Sequence, residues 1–225
     1  TATFKNTYNN QYGYIDLRVH KTYDNATGSD ALTQDQFQFT LTAVGDNAGA
    51  APMPGGTDSR SVTVGNTTGG SISFPAFAFQ TSDINKTYLY QVKENISDKA
   101  NNYTVNGTTY DADVYYVKIE IQRDTDNSPK PVMTYYLDQG CTDQIVSDNA
   151  QKKDHLYEIE PGVYRLWFHN SYTAKPATVT IQGSKTLNGR DMDANEFGFT
   201  LEGADDTTKE AVEDGSVQGT TNGKL

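Results

Sequence analysis

Residues 164–172, Tyr-Arg-Leu-Trp-Phe-His-Asn-Ser-Tyr, alternate apolar with polar side chains at a period of two, the mark of a β-strand with one buried face. Tyr164, Leu166, Phe168, Asn170 and Tyr172 share that face. An amide in an otherwise apolar row needs a partner, because burying it unpaired costs roughly 2–7 kcal/mol. Two other stretches carry an ionisable group at the matching place. In Ile15, Leu17, Val19, Lys21, Tyr23 the intervening Asp16, Arg18, His20 and Thr22 are polar, so phase turns Lys21 inward. In Tyr88, Tyr90, Val92, Glu94 it turns a carboxylate inward. Lysine and glutamate are almost never fully buried unless paired, so the pattern predicts that Lys21, Glu94 and Asn170 meet.

The remaining strands come in the rhythm of a β-sandwich, separated by Gly, Asn, Asp and Pro. The alternation predicts strands over 36–44, 61–64, 71–79, 87–95, 113–123, 130–137 and 163–172, with loops at 24–30, 45–57 and 138–153. In 113–123, Tyr115, Val117, Ile119 and Ile121 face inward while Tyr116, Lys118, Glu120 and Gln122 face water, as in an antiparallel sheet with one wet face. No helical periodicity is sustained, and the class is all-β: an antiparallel sandwich.

Parts of the pattern recur. Phe4-Lys-Asn6-Thr-Tyr8 copies Phe168-His-Asn170-Ser-Tyr172, and Val179, Ile181, Gly183, Lys185, Leu187 copy the row that carries Lys21. The spacing from Asn6 to Lys21 equals that from Asn170 to Lys185. Phe197-Gly-Phe-Thr-Leu201 likewise matches Phe37-Gln-Phe-Thr-Leu41. This self-similarity predicts a tandem array: residues 1–12 as the last strand of one repeat plus a linker, 13–174 as a complete repeat, and 175–225 as the incomplete start of the next. On that reading the partners of Asn6 and Lys185 lie outside the chain.

A net charge of −11 argues against nucleic acid, which calls for a basic stripe. No apolar run approaches the ~20 residues of a membrane span, so no membrane is expected in this segment. Cys141 is the one cysteine and leaves no internal disulfide, and the three histidines lack metal-ligand spacing; neither metal nor cofactor is expected. No Ser-His-Asp arrangement, phosphate loop or carboxylate cleft is evident, so turnover chemistry is not expected. A ligand-binding module using the long loops to grip a host protein or glycan is the alternative class.

Burial disfavours both charged forms of a Lys–Glu pair, lowering the lysine pKa and raising that of the acid. Neutral Lys21 is then a nucleophile held against the Asn170 carboxamide, while protonated Glu94 is expected to polarise the carbonyl and relay protons to leaving ammonia. The product would be a Lys–Asn isopeptide bond, made once and without turnover.

These residues resemble the isopeptide-linked Cna-B-type pilin domains of Gram-positive bacteria, in particular the streptococcal major-pilin linkage domain. The resemblance covers about 13–174, with edges at 1–8 and 178–201. It rests on Val-His-Lys-Thr-Tyr at Lys21, Tyr-Leu-Tyr-Gln-Val-Lys-Glu ending at Glu94, the stretch from Thr109 to Ile121 with Lys-Pro-Val-Met-Thr-Tyr-Tyr after it, and Phe-His-Asn-Ser-Tyr at Asn170. It implies an immunoglobulin-like fold and a bond from Lys21 to Asn170 with Glu94 as acid/base. It further implies a structural role in a pilin or adhesin stalk, attached to the cell wall and extracellular. The implied partners are neighbouring repeats, other pilin subunits joined by sortase, and host surface ligands.

Overall fold

The structure is a computed structural model that describes residues 11–26, 30–56, 58–97, 102–174, 182–201 and 216–217. The chain divides into two compact units, Thr1–Lys175 and Pro176–Leu225. In the first, the strands are β1 (Tyr12–Ile15), β2 (Arg18–Asp24), β3 (Gln38–Val44), β4 (Ser61–Gly65), β5 (Ser71–Ser73), β6 (Phe77–Gln80), β7 (Thr87–Glu94), β8 (Thr104–Val105), β9 (Thr108–Thr109), β10 (Val114–Arg123), β11 (Pro129–Tyr136), β12 (Leu156–Glu160) and β13 (Val163–Tyr172). One α-helical turn, α1 (Ala150–Lys153), interrupts them. The second unit contains β14 (Phe199–Thr200) paired antiparallel with β15 (Ser216–Val217).

One sheet has the order β11-β10-β7-β3-β4, antiparallel throughout. Its inward rows follow the alternation of the sequence: Phe39 and Leu41, then Tyr88, Tyr90 and Val92, then Tyr115, Val117, Ile119 and Ile121, all buried. β1 pairs with β6 in a separate two-stranded antiparallel sheet. A second large sheet runs β5-β2-β13-β9-β8, with β12 also on β13. It contributes Val19, Ile72, Leu166 and Phe168 to the same core. Phe168 bridges the layers, its ring 5.2 Å from that of Phe39 and 4.9 Å from that of Tyr115. A fully buried side chain of this kind stabilises by roughly 1.5–3 kcal/mol relative to exposure. The fold is an all-β sandwich of the immunoglobulin-like type.

The structure departs from the sequence expectation in several places: β8, β9 and β12 lie where the alternation predicts no strand, and three further differences concern the sheets. The second sheet is mixed, because β2 and β13, the two strands that carry the lysine and the asparagine, pair in parallel. Antiparallel neighbours can be joined by tight turns, whereas these two close a sheet across nearly the whole unit, and no local signal fixes their direction. The single strand expected over 71–79 is two, β5 and β6, in different sheets. Pro75 lies between them, and a proline cannot donate to a ladder. Residues 182–187, part of a stretch expected to copy the lysine strand, form no strand.

Close approach fixes one glycine at the entrance. A Cβ on Gly13 would lie 2.2 Å from the Pro129 carbonyl oxygen, so only glycine lets β1 pass the start of β11.

Candidate functional site: a buried lysine, glutamate and asparagine

Parallel pairing places Lys21 beside Phe168 and Tyr23 beside Asn170. Lys21 and Asn170 are thus on one face of adjacent strands, offset by two residues. That separates their backbones by about 6.6 Å along the strands and about 4.8 Å across, a diagonal that an extended lysine reaching toward a short asparagine spans. Glu94, last residue of β7, comes from the opposite sheet. Lys21, Glu94 and Asn170 are 1, 4 and 0 % exposed, so their polar atoms have only one another and the surrounding backbone as partners.

The Glu94 carboxylate bridges the other two. Oε2 accepts from Lys21 Nζ at 3.1 Å and Oε1 accepts from Asn170 Nδ2 at 2.8 Å. The remaining atom of the carboxamide, Oδ1, accepts the Asp111 backbone N–H at 2.8 Å. Because that N–H can only donate, the side chain is fixed with its oxygen toward Asp111 and its nitrogen toward Glu94. This differs from the expectation that Glu94 polarises the carbonyl: the carboxylate faces the two nitrogens, and a backbone N–H occupies the place beside the oxygen.

Aromatic rings close the space. Lys21 Nζ lies 4.8 Å from the centre of the Phe37 ring. Phe37 in turn meets Tyr23 edge-on at 5.1 Å and Tyr110 at 5.7 Å. Desolvation in this setting pushes the Lys21 ammonium down to about 8, against the opposing pull of Glu94. It pushes the Glu94 carboxyl up, restrained by Lys21 and by the hydrogen bond from Asn170. Both shifts favour a neutral pair sharing one proton.

The backbone of each member is anchored. Lys21 N–H donates to Gly70 O at 2.7 Å. Gly70 has φ +77°, and a Cβ there would lie 2.0 Å from Lys21 O. On the Asn170 side, Asp111 is the clamp: Oδ2 accepts the His169 N–H at 3.0 Å and Oδ1 the Asp113 N–H at 2.9 Å. Further along β13, the Tyr115 hydroxyl donates to Trp167 O at 2.7 Å.

Asp111 carries no signal in the sequence that assigns it this place. It precedes the alternating stretch of β10, its side chain is one of many surface-type aspartates by composition, and its contact with Asn170 is through an N–H that almost every residue possesses. Asn6 lies outside the described residues. Lys185 belongs to the second unit, half-buried, with Nζ 5.0 Å from the centre of the Phe197 ring. Of the histidines, His20 stacks on Tyr157 at 3.7 Å and His155 Nδ1 lies 2.8 Å from Asp113 Oδ2. Among the described residues no cluster of His, Cys, Asp and Glu has the make-up of a metal site, and no helix is long and apolar enough to cross a membrane.

A sandwich whose lysine and asparagine strands lie side by side, with a buried carboxylate between the two side chains, has the make-up of an isopeptide-type domain. The model of the Spy0128-like isopeptide containing domain (FctA) matches residues 17–173, and the chain belongs to that family. Similar solved structures include the major pilin from Streptococcus pyogenes, at 18 % identity with a TM-score of 0.35, over 70 % of this chain and 50 % of that one. The major pilin protein (T3.2) from S. pyogenes serotype GAS13637 has 19 % identity and a TM-score of 0.36, over 70 % and 52 %. The T-13 major pilin from serotype GAS131465 has 18 % identity and a TM-score of 0.35, over 80 % and 60 %. The chain thus spans about half the length of the first pilin chains it matches. No curated protein matches it.

Proposed function

We propose that this chain is a structural segment of a pilus or surface stalk of a Gram-positive bacterium, in which residues 13–174 form one repeat closed by an autocatalytic isopeptide bond from Lys21 Nζ to Asn170 Cγ. The single observation that carries this reading is the Glu94 carboxyl, buried and hydrogen-bonded at once to the would-be nucleophile and to the would-be leaving group. Transfer of the shared proton from Lys21 to Glu94 leaves a neutral amine. Nζ attacks Cγ; the carboxyl group gives its proton to Nδ2, and the carboxylate so formed takes one from Nζ. The Cγ–Nδ2 bond breaks and ammonia departs, with Glu94 returned to its protonated form. One carboxyl is thereby both acid and base. The chemistry happens once, so the chain is no enzyme in the turnover sense.

The parallel pairing of β2 and β13 supports a load-bearing role for such a bond. In a parallel pair the chain enters at one end of β2 and leaves at the opposite end of β13. Tension along a stalk therefore runs lengthwise through these two strands, and a covalent tie between them takes the load that would otherwise shear their hydrogen bonds. Asn6 and Lys185 would serve preceding and following repeats with partners elsewhere in the polypeptide, and the setting is extracellular, attached to the cell wall. Intact mass tests the bond. A deficit of one ammonia is expected in the folded chain, with a Lys21–Asn170 linked peptide pair after digestion, and full mass in Lys21→Ala, Asn170→Ala and Glu94→Gln. A folded wild-type chain at full mass refutes it.

A further inference from the structure

We propose that the Asp111 backbone N–H is the oxyanion donor of this reaction, and that the Asp111 side chain is the device that aims it. The inference rests on the Lys21–Asn170 bond proposed for this chain. When Nζ adds to Cγ, the carbonyl π electrons move to Oδ1, which becomes an alkoxide until the Cγ–Nδ2 bond breaks. Glu94 cannot attend to that charge, since both its oxygens are committed to nitrogens. Among the described contacts of Oδ1, the Asp111 N–H at 2.8 Å is already within the distance an oxyanion requires.

Such a donor contributes only if it does not have to move into place, and here the side chain of the same residue holds it. Its two carboxylate oxygens take the N–H of His169, the residue preceding Asn170, and the N–H of Asp113, two residues on. The segment entering β10 is thereby tied to β13 at the position of the reacting amide. Asp111 is 8 % exposed, so water does not compete strongly for these bonds. The arrangement is a closed loop: Asp111 N–H to the Asn170 side chain, the Asp111 side chain to the His169 backbone, and His169 to Asn170 by the chain itself.

The test uses the full chain, isolated from inclusion bodies in denaturant and refolded by dilution, with ammonia loss followed by intact mass and folding followed separately by the fluorescence of Trp167. Replacing the residue by its α-hydroxy acid exchanges the Asp111 N–H for an ester oxygen and leaves the carboxylate in place. Bond formation is expected to slow by roughly 10²–10³-fold, the effect of removing one oxyanion donor. Asp111→Ala, which frees the donor from its clamp, is expected to slow it by at least tenfold or so on the same ground. In the ester variant the pH dependence of the rate should keep its shape, since the Lys21–Glu94 pair and the Asp111 charge that acts on it are both retained. An ester variant that folds and forms the bond at the wild-type rate overturns the proposal whether or not Asp111→Ala folds. So does a slowed ester variant whose pH profile moves, which would assign the effect to the Lys21–Glu94 pair and not to the donor, and an Asp111→Ala variant that folds and reacts at the wild-type rate overturns the role of the side chain. Absence of ammonia loss in the wild-type chain would instead sink the bond itself, before any variant is compared.

Discussion

Blocking the proposed bond while leaving the core filled should expose its thermodynamic contribution. Glu94→Gln is nearly isosteric, retains an acceptor for one neighbour, and cannot shuttle a proton; the chain should fold without losing ammonia. The proposed tie between residues 21 and 170 would close a loop of about 150 residues, removing denatured-state entropy worth about 5 kcal/mol at 25 °C. For a unit of this size each kcal/mol moves the midpoint by roughly 2–4 °C, so the melting temperature should fall by about 10–20 °C. Trp167, the one tryptophan of the chain, lies on β13 and reports the strand that carries Asn170. The substitution also leaves Lys21 opposite a neutral amide, which a second comparison separates from loss of the bond. Asn170→Ala should cost about 5 kcal/mol more in the wild-type background than in Glu94→Gln, because in the latter there is no bond left to lose. If Glu94→Gln shows full mass yet melts within about 3 °C of wild type, or if Asn170→Ala costs the same in both backgrounds, the cross-link is not what constrains the unfolded chain.

The geometry sets three further outcomes. The rate of ammonia release on refolding should be bell-shaped in pH: above about 8 the last shared proton is lost and Glu94 has none to give Nδ2, whereas below the raised Glu94 value a second proton binds and caps the amine. A rate that keeps rising well above pH 8 contradicts this. Gly70→Ala, placed in the Glu94→Gln background so that the bond cannot mask it, should destabilise by about 1–3 kcal/mol, because it sets a Cβ at positive φ against the Lys21 carbonyl; thermal melting reads it. Tyr115→Phe should cost about 1–2 kcal/mol through the lost bond to the Trp167 carbonyl while leaving the ammonia deficit complete, since that hydroxyl is not among the reacting groups.

The inward direction of Lys21, Glu94 and Asn170 was legible because a strand alternates its side chains with a period of two, so phase alone assigns a face. The same rule marked the inner rows of β7 and β10. It failed where the chain breaks its own period, at Pro75, and over short strands such as β8 and β9, whose two residues are too few to display an alternation. In the second unit it holds at β14, which falls within the 197–201 copy of the Phe37–Leu41 pattern, but not over residues 182–187, which share the pattern of β2 without forming a strand.

Local phase can say which face a residue takes, and for this protein it singled out three polar groups that an oily interior would not hold apart. It cannot say which strands become neighbours. That β2 lies against β13, in parallel and offset by two residues, depends on contacts between positions about 150 residues apart whose free energies are summed over both sheets. Nor can it reveal that Asn170 turns its oxygen to Asp111 and its nitrogen to Glu94. The deciding donor there is a peptide N–H, which every residue but proline supplies alike, and only folding distinguishes one from the rest by where it points.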